Sequence, residues 1–176
     1  MQEALAFLVD TLFSLLFFVF LMRLLLQRVR ADFRNPLGQA ILQITNPLIL
    51  PLRRVLPPIR RIDTASVVAV LIVSVLRVAA SSWAHGHGML APVDLLIVSA
   101  LELLRGVLYV YFYSLLLYAV LSWIAPGART PAGSILVSIC EPLLRPLRRL
   151  IPPLAGLDLS ALIAMIAIQF VLLLLR

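Results

Sequence analysis

Two arginine pairs, Arg53-Arg54 and Arg148-Arg149, sit at matching places in two copies of one motif. Residues 46–63 read NPLILPLRRVLPPIRRID and residues 141–158 read EPLLRPLRRLIPPLAGLD. The offset is 95 throughout, and nine of eighteen positions are identical, so the resemblance is a duplication rather than a compositional accident. A guanidinium is a permanently charged, planar fork of donors, suited to phosphate and carboxylate oxygens. In the second copy Arg145, Arg148 and Arg149 fall at i, i+3 and i+4, on one face of a helix with leucines opposite. That is the pattern of a helix lying in the headgroup plane, apolar side down, arginines toward lipid phosphate.

Prolines and acids frame these arginines. Asn35-Pro36 and Thr130-Pro131 are cap-plus-proline starts for a first short helix in each copy. That helix is expected to stop before Pro47 or Pro142, where a second short one begins, because a residue preceding proline avoids helical geometry. Pro57-Pro58 and Pro152-Pro153 then force an extended corner. Asp63 and Asp158 follow, placed either to cap the next helix or to pair with Arg53/Arg54 or Arg148/Arg149. The motif reads as a re-entry corner held by caps and topology charges, as a docking site for anionic lipid or a partner's acidic face, or as both.

Other reactive residue types give weaker patterns. Glu102 and Arg105, at i and i+3, form a possible intramembrane pair. Asp10 and Arg77 lie near the outer ends of neighbouring apolar runs and are a second possible pair. Tyr109 and Tyr113 share a face, and Tyr111 and Tyr118 are seven apart; they read as packing or interface residues rather than quinone or haem contacts. His85-Gly86-His87 supplies two imidazoles, which do not make a closed metal site. The one cysteine, Cys140, forbids an internal disulfide and a Cys-x-x-Cys-His haem attachment, and reads as a packing residue. No nucleophile–base pair, phosphate loop or metalloprotease motif is present, so neither catalysis nor a cofactor is expected.

The elements that must position these residues are apolar. Of 176 residues 62% are hydrophobic and 13% charged, against about 25% charged in a soluble domain. The surplus forms runs at Leu5–Leu26, Ala65–Trp83, Leu95–Ile124 and Leu159–Leu175. The first would span roughly 33 Å as a helix, the fourth roughly 25 Å, against a hydrocarbon core of about 30 Å. The third, at roughly 45 Å, exceeds one upright crossing; the crossing is placed at Leu103–Ile124, with an outer extension over Val93–Glu102 and a bend at Gly106. Glu3, and the lack of a basic segment before the first run, argue for a retained membrane helix rather than a cleaved leader.

Arginine placement sets the topology. The segment 27–63 carries Arg28, Arg30, Arg34, Arg53, Arg54, Arg60 and Arg61; the segment 125–158 carries Arg129, Arg145, Arg148 and Arg149; the segment 81–94 carries none. Positive short loops stay in the cytoplasm. The expected fold is therefore all-α and membrane-integral, with four crossings as two tandem parallel repeats. Repeat one covers 1–80, an outer linker 81–94, and repeat two 95–176. Each repeat carries interfacial amphipathic helices in its cytoplasmic loop, and both termini lie outside. Trp83 and Trp123 suit span ends. A net charge of +7 would also suit nucleic acid, but it belongs to loops flanking spans, so no nucleic-acid partner is expected.

The doubled signature resembles the YggT family of small bacterial membrane proteins, with plastid relatives. The resemblance is carried by NPLGQAILQITNPLILPLRRVLPPIRRID in the first copy and by LSWIAPGARTPAGSILVSICEPLLRPLRRLIPPLAGLDLSALIAMIAIQ in the second. The first copy departs from it by Arg60-Arg61, where the family usually has glycine, as at Gly156. The resemblance implies a multi-pass protein of the bacterial inner membrane with periplasmic termini. Plastid relatives are implicated in cytochrome b6f assembly and nucleoid distribution, and bacterial members in cell division, envelope integrity or osmotic and ion homeostasis. The expected role is a non-enzymatic scaffold or assembly factor. Its expected partners are anionic headgroups and another membrane protein or a second copy. The alternative is a component of an ion or osmolyte channel.

Overall fold

The computed structural model describes residues 2–31, 33–59, 63–86, 88–124, 130–150 and 159–176, without the side chains of Gln2, Trp123 and Leu150. These residues form six helices: α1 (Gln2–Arg28), α2 (Pro36–Val55), α3 (Thr64–Ala84), α4 (Pro92–Ile124), α5 (Pro131–Leu150) and α6 (Leu159–Leu174). Helices α1, α3 and α4 are long and apolar enough to cross a membrane; α6, with 16 residues, is a shorter apolar helix of about 24 Å. The starts of α5 and α6 keep the offset of the sequence copies relative to α2 and α3.

The expected pairs of short helices are single helices. Both α2 and α5 run 20 residues straight through two prolines, Pro47 and Pro51 in one, Pro142 and Pro146 in the other. Each proline removes one N–H and presses its ring on the carbonyl four residues earlier, at a cost of about 3 kcal/mol in a helix interior. The helix survives because the prolines are one turn apart on the exposed face, where the freed carbonyls reach solvent. The opposite face is buried, through Thr45 and Ile49 in α2 and Cys140 and Leu144 in α5. Packing of that face overrides the local break.

Helix α4 is likewise continuous over 33 residues, with no break at Gly106. There the glycine is needed for space: a Cβ would stand 2.6 Å from Phe17 Cε1. At the end of α1, Arg30 takes the left-handed conformation (φ 54°). Ala31 N–H then bonds Leu26 O at 2.9 Å and Arg30 N–H bonds Gln27 O at 3.2 Å, closing the helix in the manner usually left to glycine.

By packing, the chain forms two units, residues 1–24 with 40–106 and residues 25–39 with 107–176. In the first, α3 buries a face of small residues, Ala65, Ser66, Ala69, Val73 and Ser74, which lets helix backbones approach closely. Ser74 Oγ donates to Ser99 O of α4 at 2.8 Å. In the second, Leu115, Cys140, Leu144, Ala161, Ala164, Ile168 and Leu172 form a core joining α4, α5 and α6.

Candidate functional site

The first basic corner is closed by an ion pair. Arg53, in the last turn of α2, donates through Nη2 to Asp63 Oδ2 at 2.5 Å and through Nε at 3.2 Å. Asp63 stands at the start of α3 but makes no side-chain cap hydrogen bond. Its carboxylate accepts instead from Ser66 Oγ at 2.6 Å, so of the two expected roles it takes the ion pair and not the cap. Pro57 and Pro58 leave the helix between them, and Thr64 Oγ1 donates to Pro57 O at 2.8 Å, stitching the corner shut. Arg54 is exposed and makes no ion pair or hydrogen bond with any described residue.

The arginines of the second copy take different partners. Arg148 Nη2 donates to the phenol oxygen of Tyr118 at 3.0 Å, with its guanidinium 5.9 Å from that ring's centroid. Its Nη1 lies 3.3 Å from Glu141 Oε2. Arg145, more exposed, reaches the other oxygen of Glu141 at 3.4 Å. Arg149, like Arg54, is exposed and pairs with no described residue. Pro152, Pro153 and Asp158, and Arg60 and Arg61 of the first copy, lie outside the described residues. Asn35 Oδ1 accepts from Leu37 N–H at 2.8 Å and Thr130 Oγ1 from Gly133 N–H at 3.0 Å, the expected starts of α2 and α5. Asn35 Nδ2 also donates to Pro131 O at 2.6 Å, tying one start to the other.

Cys140, on the buried face of α5, has its thiol pushed up to about 12 by burial, with Arg148 opposing that shift. A thiol so protonated is a packing group and not a nucleophile.

The other polar cluster lies among α1, α3 and α4. Glu102 is the hub: Arg105 Nη1 reaches Oε1 at 2.9 Å and Arg77 Nη1 reaches Oε2 at 3.3 Å. Arg77 also lies over the Phe17 ring, 5.2 Å from its centroid. The Asp10–Arg77 pair expected from sequence is therefore not formed, because Glu102 sits nearer on the facing helix. Asp10 faces His85 Nε2 at 3.6 Å instead, while His85 Nδ1 is 2.9 Å from Ser81 O. Asp10, Ser14, Arg77, Ser81, Ser82 and Glu102 line a cleft of about 420 Å³. Among the described residues no three His, Cys, Asp or Glu side chains converge as metal ligands.

The family model described as CCB3/YggT matches residues 2–84 and 97–176. The chain belongs to the CCB3/YggT family. An uncharacterized Pseudomonas aeruginosa protein is 39% identical over 172 residues, 97% of this chain and 87% of that one. An uncharacterized Vibrio alginolyticus protein encoded 3′ of proC is 37% identical over 170 residues, 96% and 91% of the two chains. Escherichia coli K12 YggT, also uncharacterized, is 34% identical over 174 residues, 97% and 88%. No solved structure matches the chain.

Within this CCB3/YggT chain one polar group escaped the sequence reading. Arg23 of α1 is buried, 1% exposed. Its Nη1 donates to Thr45 Oγ1 at 2.5 Å and to Asn46 Oδ1 at 2.8 Å, both on α2, and its Nε is buried with no hydrogen-bond partner among the described residues. The signal was available: a charge inside an apolar run demands internal acceptors.

Proposed function

We propose that the chain is a non-enzymatic, multi-pass membrane protein of the bacterial inner membrane that crosses four times. Its two parallel repeats (1–80 and 95–176, about the linker 81–94) turn both basic corners to the cytoplasm. There they dock anionic headgroups and a partner of the envelope or division machinery, as a scaffold or assembly factor. One observation carries this reading. Each copy ties the first arginine of its pair inward, Arg53 to Asp63 and Arg148 to Tyr118 and Glu141, and leaves the second outward. Arg54 and Arg149, with exposed Arg145, are then the docking residues, and Arg53 and Arg148 hold the corners that present them.

The test is binding of the purified protein, in nanodiscs of neutral lipid, to phosphatidylglycerol vesicles. Arg54→Gln with Arg149→Gln is expected to weaken capture several-fold, and capture should fall as salt is raised. Capture unchanged by the double substitution overturns the reading.

The cleft lined by Asp10, Arg77 and Glu102 favours a second reading, a component of an ion or osmolyte path tied to osmotic balance. Polar lining among apolar helices is otherwise costly. K⁺ flux into proteoliposomes separates the two: flux supports the path, and its absence with intact vesicle capture supports the scaffold.

A further inference from the structure

Tyr109 and Tyr113 lie one turn apart on α4 and are 47% and 56% exposed. Their rings stack at 6.3 Å between centroids, and neither hydroxyl bonds any described residue. Their depth can be read from the same helix. Tyr118 is bonded to the Arg148 guanidinium, which marks that level of α4 as the polar boundary. Tyr113 is five residues deeper, about 7.5 Å, and Tyr109 nine residues, about 13.5 Å, in a hydrocarbon core of about 30 Å. Helical side chains lean toward the helix N-terminus, here away from Tyr118, so neither phenol can reach back to that boundary. The nearest charges farther along, Glu102 and Arg105, hold each other. Two hydroxyls are thus left in hydrocarbon without a partner among the described residues, which is costly.

The missing partner must offer both donors and acceptors at that depth. A phenol is both. A second copy in the same orientation, related by a two-fold axis along the membrane normal, brings each phenol opposite its own image and supplies what each lacks. The spacing agrees. Tyr109, Tyr113, Leu116 and Val120, all exposed, follow one another at four, three and four residues, the seam along which two helices pack at a small angle.

We propose that this stripe is the contact between two copies of the chain, α4 against α4, with phenols hydrogen-bonded across the axis. This rests on α4 crossing the membrane, but not on the arginine docking. The test uses the full chain in liposomes. In a Cys140→Ser background, oxidation of Leu116→Cys is expected to give a disulfide dimer, and Leu162→Cys on α6, also exposed, to give none. Tyr109→Phe with Tyr113→Phe keeps the ring shapes and removes the hydroxyls. In a dilution series read by single-molecule photobleaching it should weaken dimerisation roughly tenfold, with vesicle capture unchanged. Single-step bleaching at every density, a dimer that resists cross-linking at 116, or association indifferent to the double phenylalanine variant each overturns the proposal.

Discussion

The guanidinium of Arg148 lies against Tyr118 and bonds its phenol oxygen at 3.0 Å. In the first copy these two positions are Arg53 and Arg23. Two cations cannot make that contact, and each has found another. Arg53 turns to Asp63, and Arg23 is buried against Thr45 and Asn46. In the second copy Glu141 stands where Asn46 does and gathers Arg145 and Arg148. The arginines of the two copies are held by two different sets of bonds.

The inward and outward arginines of each pair should therefore separate in experiment. Arg53→Gln breaks an ion pair whose partners are 41% and 15% exposed, and solvent screening limits its worth to about 1 kcal/mol or less. Thermal unfolding in detergent should record a small drop. Arg54→Gln should leave unfolding unchanged and weaken vesicle capture. Equal effects of both substitutions on capture would show that the inward pairing has no bearing on docking.

Arg23 carries a larger share of stability. Arg23→Ala removes a fully buried side chain and strands the acceptors of Thr45 and Asn46, a loss of about 3 kcal/mol. Denaturant titration in mixed micelles reads this as a lower midpoint. Arg23→Lys should recover only part, because one ammonium cannot reproduce a guanidinium's spread of donors.

Much of this was legible in the chain, and the limits have physical causes. Apolar runs and caps predicted α1, α3, α4 and α6, and Asn35 and Thr130 start α2 and α5 as expected. Pro47 and Pro142 misled, since proline rules describe an isolated helix and not one pinned along its far face by Ile49 or Leu144. Asp63 offered a cap or an ion pair, and only the corner's geometry decides between them. Of the possible partners of Arg77 the structure takes Glu102 and not Asp10, because sequence gives the depth of a charge along its helix but not its azimuth.

At Gly106 α4 lies tight against Phe17 and Leu21 of α1. An added methyl meets the buried Phe17 ring at 2.6 Å. Gly106→Val should destabilise by about 1–3 kcal/mol, and adding Phe17→Leu should recover part of that loss. A double-mutant cycle on unfolding midpoints checks it; purely additive losses would remove the contact from the account.

Cys140 should be silent to thiol reagents. It is buried and its thiol is pushed up to about 12. At pH 8 on the order of one molecule in ten thousand would carry thiolate. Maleimide mass tagging should therefore leave the folded protein unmodified and label it fully in dodecyl sulfate.

The central claim is that Arg54 and Arg149 face the same, cytoplasmic side of the membrane. Single substitutions Arg54→Cys and Arg149→Cys, each with Cys140→Ser, should react with a membrane-impermeant maleimide in inverted vesicles and not in intact spheroplasts. Labelling of either position from the periplasmic side, or of the two from opposite sides, would contradict the account.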